Sequence, residues 1–534
     1  MTFLVNKDQR AILVPGDESF PVRIPTARPL DIQGKRLWAV PFGLREAIQL
    51  RHIGVPVPSP IGYYYDWPRD LSKVPQPFHN QLETAGFLTL NHRAYVLNQI
   101  GTGKTLATLW AADYLMKIGM VRKCAIMSPL STLDRVWGDS VFEHFGHRNI
   151  AILHGTAEKR RRLFANNSFD FYVINHDAVD IIAEMVYKQV KGQNKLVDAK
   201  FMRDDIDLVI IDELAVLRNQ KTNRWRIADK LIKDNMWVWG LTGTPTPNSP
   251  ADAYAQVRLV TPDRVPAYFS AFRQQVMQQM TEYIWVPRRE AARVVHDVMQ
   301  PAIRFERDEC FDLPPCAYVT RECELTAEQK KHYKEIAKEL FTEIRGGKVT
   351  AVNEGVKAGK LLQIACGVVY DKEGREREVD AAPRVALVRE LIEQATNKVI
   401  VFVPFTAPLR MLHRELSKDF RCEMVYGDVS KAERGRIFLE FQKRHDLRVL
   451  IADAGTMSHG LTLTEANTII WYGPEWSNDI YEQACGRITR PGQKNNQFII
   501  HVAGTEIEKR IYARLRERGR TQGVLLQMVK EGVL

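Results

Sequence analysis

Two tandem parallel-sheet lobes of the α/β class are predicted for this chain, with helical insertions and a small accessory unit at the N-terminus. Short apolar or β-branched runs alternate with helical patterns in two separate regions, as a parallel sheet with crossover helices requires. The C-terminal ends of those runs are mostly small, polar or charged, and ligands bind at that edge of an open α/β sheet. At 534 residues, the chain exceeds what one hydrophobic core holds, so several units are expected.

Residues 1–75 form the accessory unit, rich in Pro and aromatics, with RLWAVPF as a strand and GLREAIQLRHIG as a helix. Tyr63, Tyr64, Tyr65 and Trp67 bunch there, with Arg45 and Arg51 nearby. Aromatics beside cations either stack on exposed bases or pack such a unit against its neighbour. The first lobe, 76–265, has strand candidates AYVLNQ, KCAIMSPL, IAILHG, FYVINH, DLVIIDE and MWVWGLTG. Residues 266–382 form a helical protrusion and inter-lobe segment, interrupted by Pro287, Pro301 and Pro314-Pro315. Within it TAEQKKHYKEIAKELFTEIRGG reads as one helix, opened by Thr326 with Gln329 three residues on and closed by Gly346-Gly347. The second lobe, 383–515, carries KVIVFVPF, CEMVYGD, RVLIAD, TIIWYG and FIIHVAG, and 516–534 reads as a basic C-terminal helix.

The surplus of 75 Lys+Arg over 64 Asp+Glu gives +11, which favours a polyanionic partner without establishing one. The sequence lacks a run of about 18 apolar residues and a signal-peptide core, so no membrane partner is expected. Seven cysteines, an odd number without a CxxC pair, fit a reduced, cytoplasmic setting. Cys310, Cys316 and Cys323 lie close together, but no His follows at ligand spacing, so no zinc is expected.

After AYVLNQ comes IGTGKTLATLWAADYL, a glycine-rich turn feeding a helix. Gly101, Thr102 and Gly103 let backbone N–H groups close around phosphate oxygens, and the helix N-terminus adds its positive end. Lys104 then reaches the β- and γ-phosphates, and the Thr105 hydroxyl is a Mg²⁺ ligand. The strict pattern needs Gly at position 98, where this chain has Asn98. Further on, DLVIIDELAVL delivers Asp212 and Glu213 to the sheet edge. Two adjacent carboxylates after a buried strand are costly unless a cation is bound. Asp212 holding Mg²⁺, largely through water, and Glu213 polarising the attacking water divide that work. Alone, a strand-end DE is also a common helix cap.

These features, and the order of those that follow, resemble the superfamily-two helicases, and within them the Swi/Snf-type DNA translocases, over about 78–515. The resemblance, to a compact bacterial or phage-like member, implies two RecA-like P-loop NTPase lobes and hydrolysis of ATP with Mg²⁺. PFHNQLETAGFL is similar to the adenine-reading element, which gives Gln81 the base edge. GTGKT resembles motif I and DELA motif II. SPLSTLDRVW resembles motif Ia, the run ending Asn175-His176-Asp177 motif Ib, and LTGTPTPNS motif III. In the second lobe KVIVFVPFTAPLRML resembles motif IV, ADAGTMSHGLTL motif V and EQACGRITRPGQ motif VI. The implied nucleic-acid track is Ser128, Pro129, Asn175, Thr242, Thr244, Gly455 and Thr456. Gln483, Arg487 and Arg490, spaced i, i+4 and i+3, fall on one helical face. In relatives the two arginines serve the ATP site, where such guanidiniums contribute roughly 10³–10⁵ in rate.

Three details favour the Swi/Snf branch: LRNQKTNRWRIADKL after DELA, the entry FDLPPCAYVTREC, and PGQ after motif VI. Departures are equally plain. DELA lacks the coupling His of many relatives, Asn98-Gln99 replaces an acidic pair, and Ser458-His459-Gly460 replaces a glycine-rich turn. The resemblance implies an ATP hydrolase moving on DNA, duplex or branched, as a monomer in the cytoplasm of a bacterial or phage-infected cell, a nuclear setting remaining open. A strand-separating helicase on DNA or RNA and a nucleotide-gated scaffold that binds without moving are the alternatives.

Overall fold

A computed structural model describes residues 3–32, 34–68, 76–190, 192–247, 249–281, 285–310, 313–335, 359–370, 375–457 and 463–515. At the N-terminus, β1 (Leu4–Asn6), β2 (Ala11–Val14), β3 (Arg28–Ile32) and β4 (Lys35–Pro41) form an antiparallel sheet in the order β1-β2-β4-β3. The two-residue period of a strand puts Ile12, Val14, Trp38 and Val40 on one buried face. Phe20 and, from the helix Leu44–His52, Ala47 and Leu50 complete that core.

The aromatic bunch is used for packing. Phe42 meets Tyr63 and Tyr64 edge-on, and Lys7 and Arg10 lie over those two rings. Trp67 lies edge-to-face on Trp110, at 5.5 Å between centroids, and the Tyr65 hydroxyl donates to Asp113 Oδ2 at 2.6 Å. Trp110 and Asp113 belong to the helix Lys104–Lys117, which opens at the glycine-rich loop. Burial alone would raise the Asp113 carboxyl, but hydrogen bonds from Tyr65, Arg148 and His147 hold it below its ordinary value.

The first lobe contains β5 (Arg93–Val96), β6 (Lys123–Ser128), β7 (Ile150–Leu153) and β8 (Phe171–Asn175). A hairpin of β9 (Ala183–Val190) and β10 (Gln193–Phe201) follows, then β11 (Ile206–Asp212) and β12 (Trp237–Leu241). A second small hairpin, β13 (Met277–Gln279) with β14 (Trp285–Pro287), precedes β15 (Ala302–Ile303). The sheet order is β15-β5-β12-β11-β6-β8-β7, all parallel. Central β11 is covered on both faces, which is why it reads as an unbroken apolar run rather than an alternation.

Described residues of 266–310 pack with the first lobe. Phe272, Val276, Ala291, Val295 and Val298 lie at helical spacing and bury in the first lobe's core, and β15 pairs with β5. From Cys316 the chain enters the second sheet, and the two compact units divide between Cys310 and Phe311. Apolar side chains on either side of 310 have separate cores to fill.

The second unit holds β16 (Cys316–Glu322), a hairpin of β17 (Val368–Tyr370) and β18 (Glu376–Glu378), and β19 (Lys398–Phe402). After these come β20 (Cys422–Val425), β21 (Val449–Ala452), β22 (Ala466–Trp471) and β23 (Gln497–Ala503). The order β16-β23-β22-β19-β21-β20 is again wholly parallel. At the expected helix start, Thr326 and Gln329 exchange a reciprocal capping pair, Gln329 N–H to Thr326 Oγ1 at 3.2 Å and Thr326 N–H to Gln329 Oε1 at 3.0 Å. That helix is described to residue 335; its predicted remainder, Ser458-His459-Gly460 and the 516–534 helix lie outside the described residues. None of the described helices is long and apolar enough to cross a membrane.

Candidate functional site

The glycine-rich loop owes its shape to two left-handed residues, Gly101 at φ 90° and Gly103 at φ 77°, a region that only glycine enters freely. A Cβ on Gly103 would lie 2.0 Å from Gln81 Nε2. Lys104 opens the helix, and its Nζ donates to the Asn98 and Gln99 carbonyls at 2.8 and 3.2 Å. The loop is thus wrapped around the ammonium group, with Thr105 half-buried in the first helical turn. Asn80 Nδ2 donates to the Thr102 carbonyl at 2.8 Å, and Thr102 Oγ1 donates to that of Gln99 at 2.8 Å.

Asn98, the departure from the strict pattern, is a clamp. It is 1% exposed; its Nδ2 donates to Thr84 Oγ1 at 3.0 Å and its Oδ1 accepts from Phe305 N–H at 3.0 Å. Gln99 Oε1 accepts from Arg307 N–H at 3.1 Å. The loop entrance is thereby tied to the helix His79–Leu90 and to the segment after β15. Gln81 is buried beside the loop, but its amide is engaged within the protein. Oε1 accepts from Phe78 N–H at 2.9 Å, and Nε2 donates to the Gly103 carbonyl at 3.3 Å.

Asp212 ends β11, and Glu213 turns the chain with φ 52°, a conformation costly for a residue with a Cβ. The neighbouring motifs converge here. Asp212 Oδ2 accepts from Ser128 Oγ at 2.8 Å and from Trp137 Nε1 at 3.0 Å. Trp137 sits in a π-helical turn, Leu133–Gly138, a rare geometry that re-aims a side chain. Glu213 Oε1 accepts from Thr242 Oγ1 at 3.3 Å, and Thr242 Oγ1 in turn accepts from Thr244 N–H at 3.2 Å. His176 Nε2 donates to the Asp212 carbonyl at 2.8 Å. This His is 3% exposed, and burial pushes its imidazole down to about 4, so it is neutral near pH 7. Next to it, Asp177 is ion-paired with Arg224 at 2.9 Å, from the helix Asn223–Leu231.

Three residues expected on the nucleic-acid track are therefore interior. Ser128, Thr242 and Thr244 are buried: Ser128 Oγ donates to Asp212, Thr242 Oγ1 to Glu213, and Thr244 N–H to Thr242 Oγ1. Asn175 uses its Oδ1 to accept from Asp177 N–H at 2.9 Å, and Pro129 is half-buried. In the second unit, exposed Gly455 and half-buried Thr456 follow β21, in a short turn whose N–H groups donate to the Asp453 carboxylate.

The motif VI helix runs Asn478–Cys485 and stops there, so Gln483, Arg487 and Arg490 do not share one helical face as their spacing suggested. Gly486 ends the helix, and the two arginines lie in the turn beyond it. Arg487 is 1% exposed and its carbonyl accepts from Leu463 N–H at 3.0 Å. Arg490 Nε donates to the Gly486 carbonyl at 3.1 Å. Gln493 secures the turn, with Nε2 donating to the Ala466 and Ile488 carbonyls at 2.9 and 3.2 Å.

The donor set fits a magnesium nucleotide. Loop amides and Lys104 suit phosphate oxygens, while the Thr105 hydroxyl and Asp212 carboxylate are the hard oxygen donors that Mg²⁺ prefers. A left-handed glycine loop at a helix start, an acidic pair ending a parallel strand one place removed from the loop's own strand, and a second parallel-sheet lobe define a tandem RecA-like P-loop protein. Residues 90–366 match the SNF2-related domain and residues 383–492 the helicase conserved C-terminal domain. The chain belongs to the SNF2-related family of superfamily-two helicase-like ATPases.

It is 25% identical over 475 residues to protein p41 of Acyrthosiphon pisum secondary endosymbiont phage 1, covering 83% of this chain and 97% of that one. It is 23% identical over 451 residues to the ATP-dependent DNA helicase DDM1 of Arabidopsis thaliana, covering 78% and 58%. With the ISWI chromatin-remodeling complex ATPase ISW2 of Saccharomyces cerevisiae it shares 22% identity over 459 residues, covering 80% and 39%. The chain thus spans 58% and 39% of those two eukaryotic relatives but nearly all of the phage protein. Among solved structures it is similar to the Sulfolobus solfataricus SWI2/SNF2 ATPase core in complex with dsDNA, at 21% identity, 85% and 94% coverage and a TM-score of 0.39.

Proposed function

We propose that this chain is a DNA-dependent ATPase that translocates on duplex DNA, remodelling branched structures or displacing bound proteins. The observation that carries this reading is the convergence of three separate motifs on the Asp212–Glu213 turn, through Ser128, His176 and Thr242. A scaffold that only gated binding has no use for a hydrolytic carboxylate held so firmly. The net charge of +11 and the likeness to DDM1, an ATP-dependent DNA helicase, point the same way.

Bound Mg-ATP supplies the scissile anhydride and the divalent charge. The loop amides and Lys104 bind its phosphates, and Thr105 and Asp212 orient the metal's oxygen shell. Glu213, with Oε1 held by Thr242, takes the proton of the attacking water. The resemblance assigns Arg487 and Arg490 the positive charge for phosphoryl transfer and Gln483 a neutral amide donor. Gln81 reads the base by exchanging its bonds to Phe78 and Gly103 for bonds to adenine. The chain works as a monomer in the cytoplasm of a bacterial or phage-infected cell.

The test is ATP turnover on duplex, single strand, fork, four-way junction and RNA, with triplex displacement set against strand unwinding. Stimulation by duplex and displacement without unwinding are expected; unwinding, or a preference for RNA, would install the helicase reading instead. Lys104→Ala should abolish turnover and leave DNA binding in place.

A further inference from the structure

The hairpin β9–β10 lies between β8 and β11 but joins neither: its strands pair only with each other. Ala183, Ala199 and Phe201 anchor its base in the first lobe's core, with Met185 and Leu196 packed against that core. Beyond that base, described residues 186–190 and 192–195 are all exposed. So long an excursion carries no core and needs another reason.

Its charges change along its length. Near the base, Glu184 and Lys200 are cross-strand partners and form an ion pair at 3.0 Å. The other carboxylate, Asp198, is paired with Lys233 at 2.7 Å. Toward the tip, Lys188 stands directly opposite Lys195, and residues 185–197 contain no acid at all. Like charges directly opposed weaken a hairpin. Beside the hairpin, an open cleft of about 780 Å³ reaches the helix Asn223–Leu231 and is lined by Tyr187, Asn194, Lys195, Arg226 and Lys230. Its one acid, Asp229, is ion-paired with Lys230 at 3.1 Å.

We propose that the hairpin β9–β10 and the cleft beside it grip the phosphate backbone of duplex DNA, as a contact separate from the motif-borne track. The inference rests on the duplex-DNA reading above. Phosphates set near Lys188 and Lys195 relieve their mutual repulsion, and a phosphate contact asks nothing of the sequence. Load on this contact also has a short route to the chemistry. The helix that floors the cleft pairs through Arg224 with Asp177, next to the His176 that holds the Asp212 carbonyl.

The experiment uses the full chain and a random-sequence duplex, with affinity measured across a fourfold range of salt. Neutralising two phosphate contacts should make the slope of log affinity against log salt shallower by about 1.8, ~0.9 per contact. Over that range the wild type should lose about twelvefold more affinity than Lys188→Ala/Lys195→Ala. Lys188→Arg/Lys195→Arg should restore the wild-type slope, and melting curves confirm that each variant folds. An unchanged slope in the alanine variant, with or without new self-association, overturns the proposal; with self-association, the lysines guard the strand edges instead. A wild type that prefers poly-glutamate to duplex overturns it in favour of an acidic protein partner. A wild type that binds no duplex removes the proposed function as well, whereas duplex binding with an unchanged slope removes only this inference.

Discussion

Both lobes are built on a wholly parallel sheet, yet they fix their reactive groups to different degrees through side chains and main chain. In the first, the acidic turn is held by side chains: Ser128 and Trp137 on the Asp212 carboxylate, His176 on its carbonyl, Thr242 on Glu213. In the second, Leu463 N–H and the Gln493 amide hold the main chain of the basic turn after the helix has ended at Cys485, and Arg490 Nε donates to the Gly486 carbonyl. A carboxylate that must present one oxygen to a metal or a water gains from donors fixing the other. A guanidinium carries a rigid fork of five donors on a flexible stem, so the fixed main chain and the Arg490 bond to Gly486 act together in placing its charge.

Four measurements would break or sharpen that contrast. Arg490→Ala should lower the kcat of ATP turnover by roughly 10³–10⁵; wild-type turnover would remove the second lobe from the chemistry. Glu213→Gln should cost about 10²–10⁴ in kcat with DNA affinity retained. The third concerns pH. His176 is held near 4 in the fold against 6.5 for a free imidazole, so the unfolded chain takes up a proton first as pH falls. The stability this burial supports is complete above pH 6.5 and declines toward pH 4, by about 3 kcal/mol in all. Denaturant unfolding of the wild type should show that decline and His176→Asn should largely lack it; equal pH profiles would refute the assignment. The smallest effect is expected for Gln493→Ala, about 1–3 kcal/mol of stability from carbonyls left without their donor. If that variant kept its melting point yet lost turnover, the turn would be held by something other than this amide.

Much of the fold was legible because buried parallel strands announce themselves as apolar runs; all eleven strand candidates in the two lobes coincide with strands. The glycine loop and the acidic pair were readable because their chemistry constrains residue type at each position. What escaped depends on three-dimensional direction. Nothing in SPLSTLDRVW says that Ser128, at the end of β6, and Trp137, in a π-helical turn that resets the side-chain period, both turn inward to Asp212. Likewise, His176 is an ordinary strand-end residue until β8 is placed two strands from β11. Two signals were present and unused. Gly486 marks a helix end ahead of Arg487, and Gly192, at φ 77°, sits where β9 gives way to β10. The two-residue β15 is too short for any pattern.

The contact between the accessory unit and the glycine-loop helix limits how this protein can be dissected. Asp113 is fully enclosed, and Tyr65 supplies one of its hydrogen bonds from outside the lobe. Cutting the chain at residue 76 would uncover Trp110 and deprive a sunken negative charge of its phenol, on the same rod that positions Lys104. A shortened enzyme should therefore fail through its own foundations, whatever the severed piece contributes to recognition.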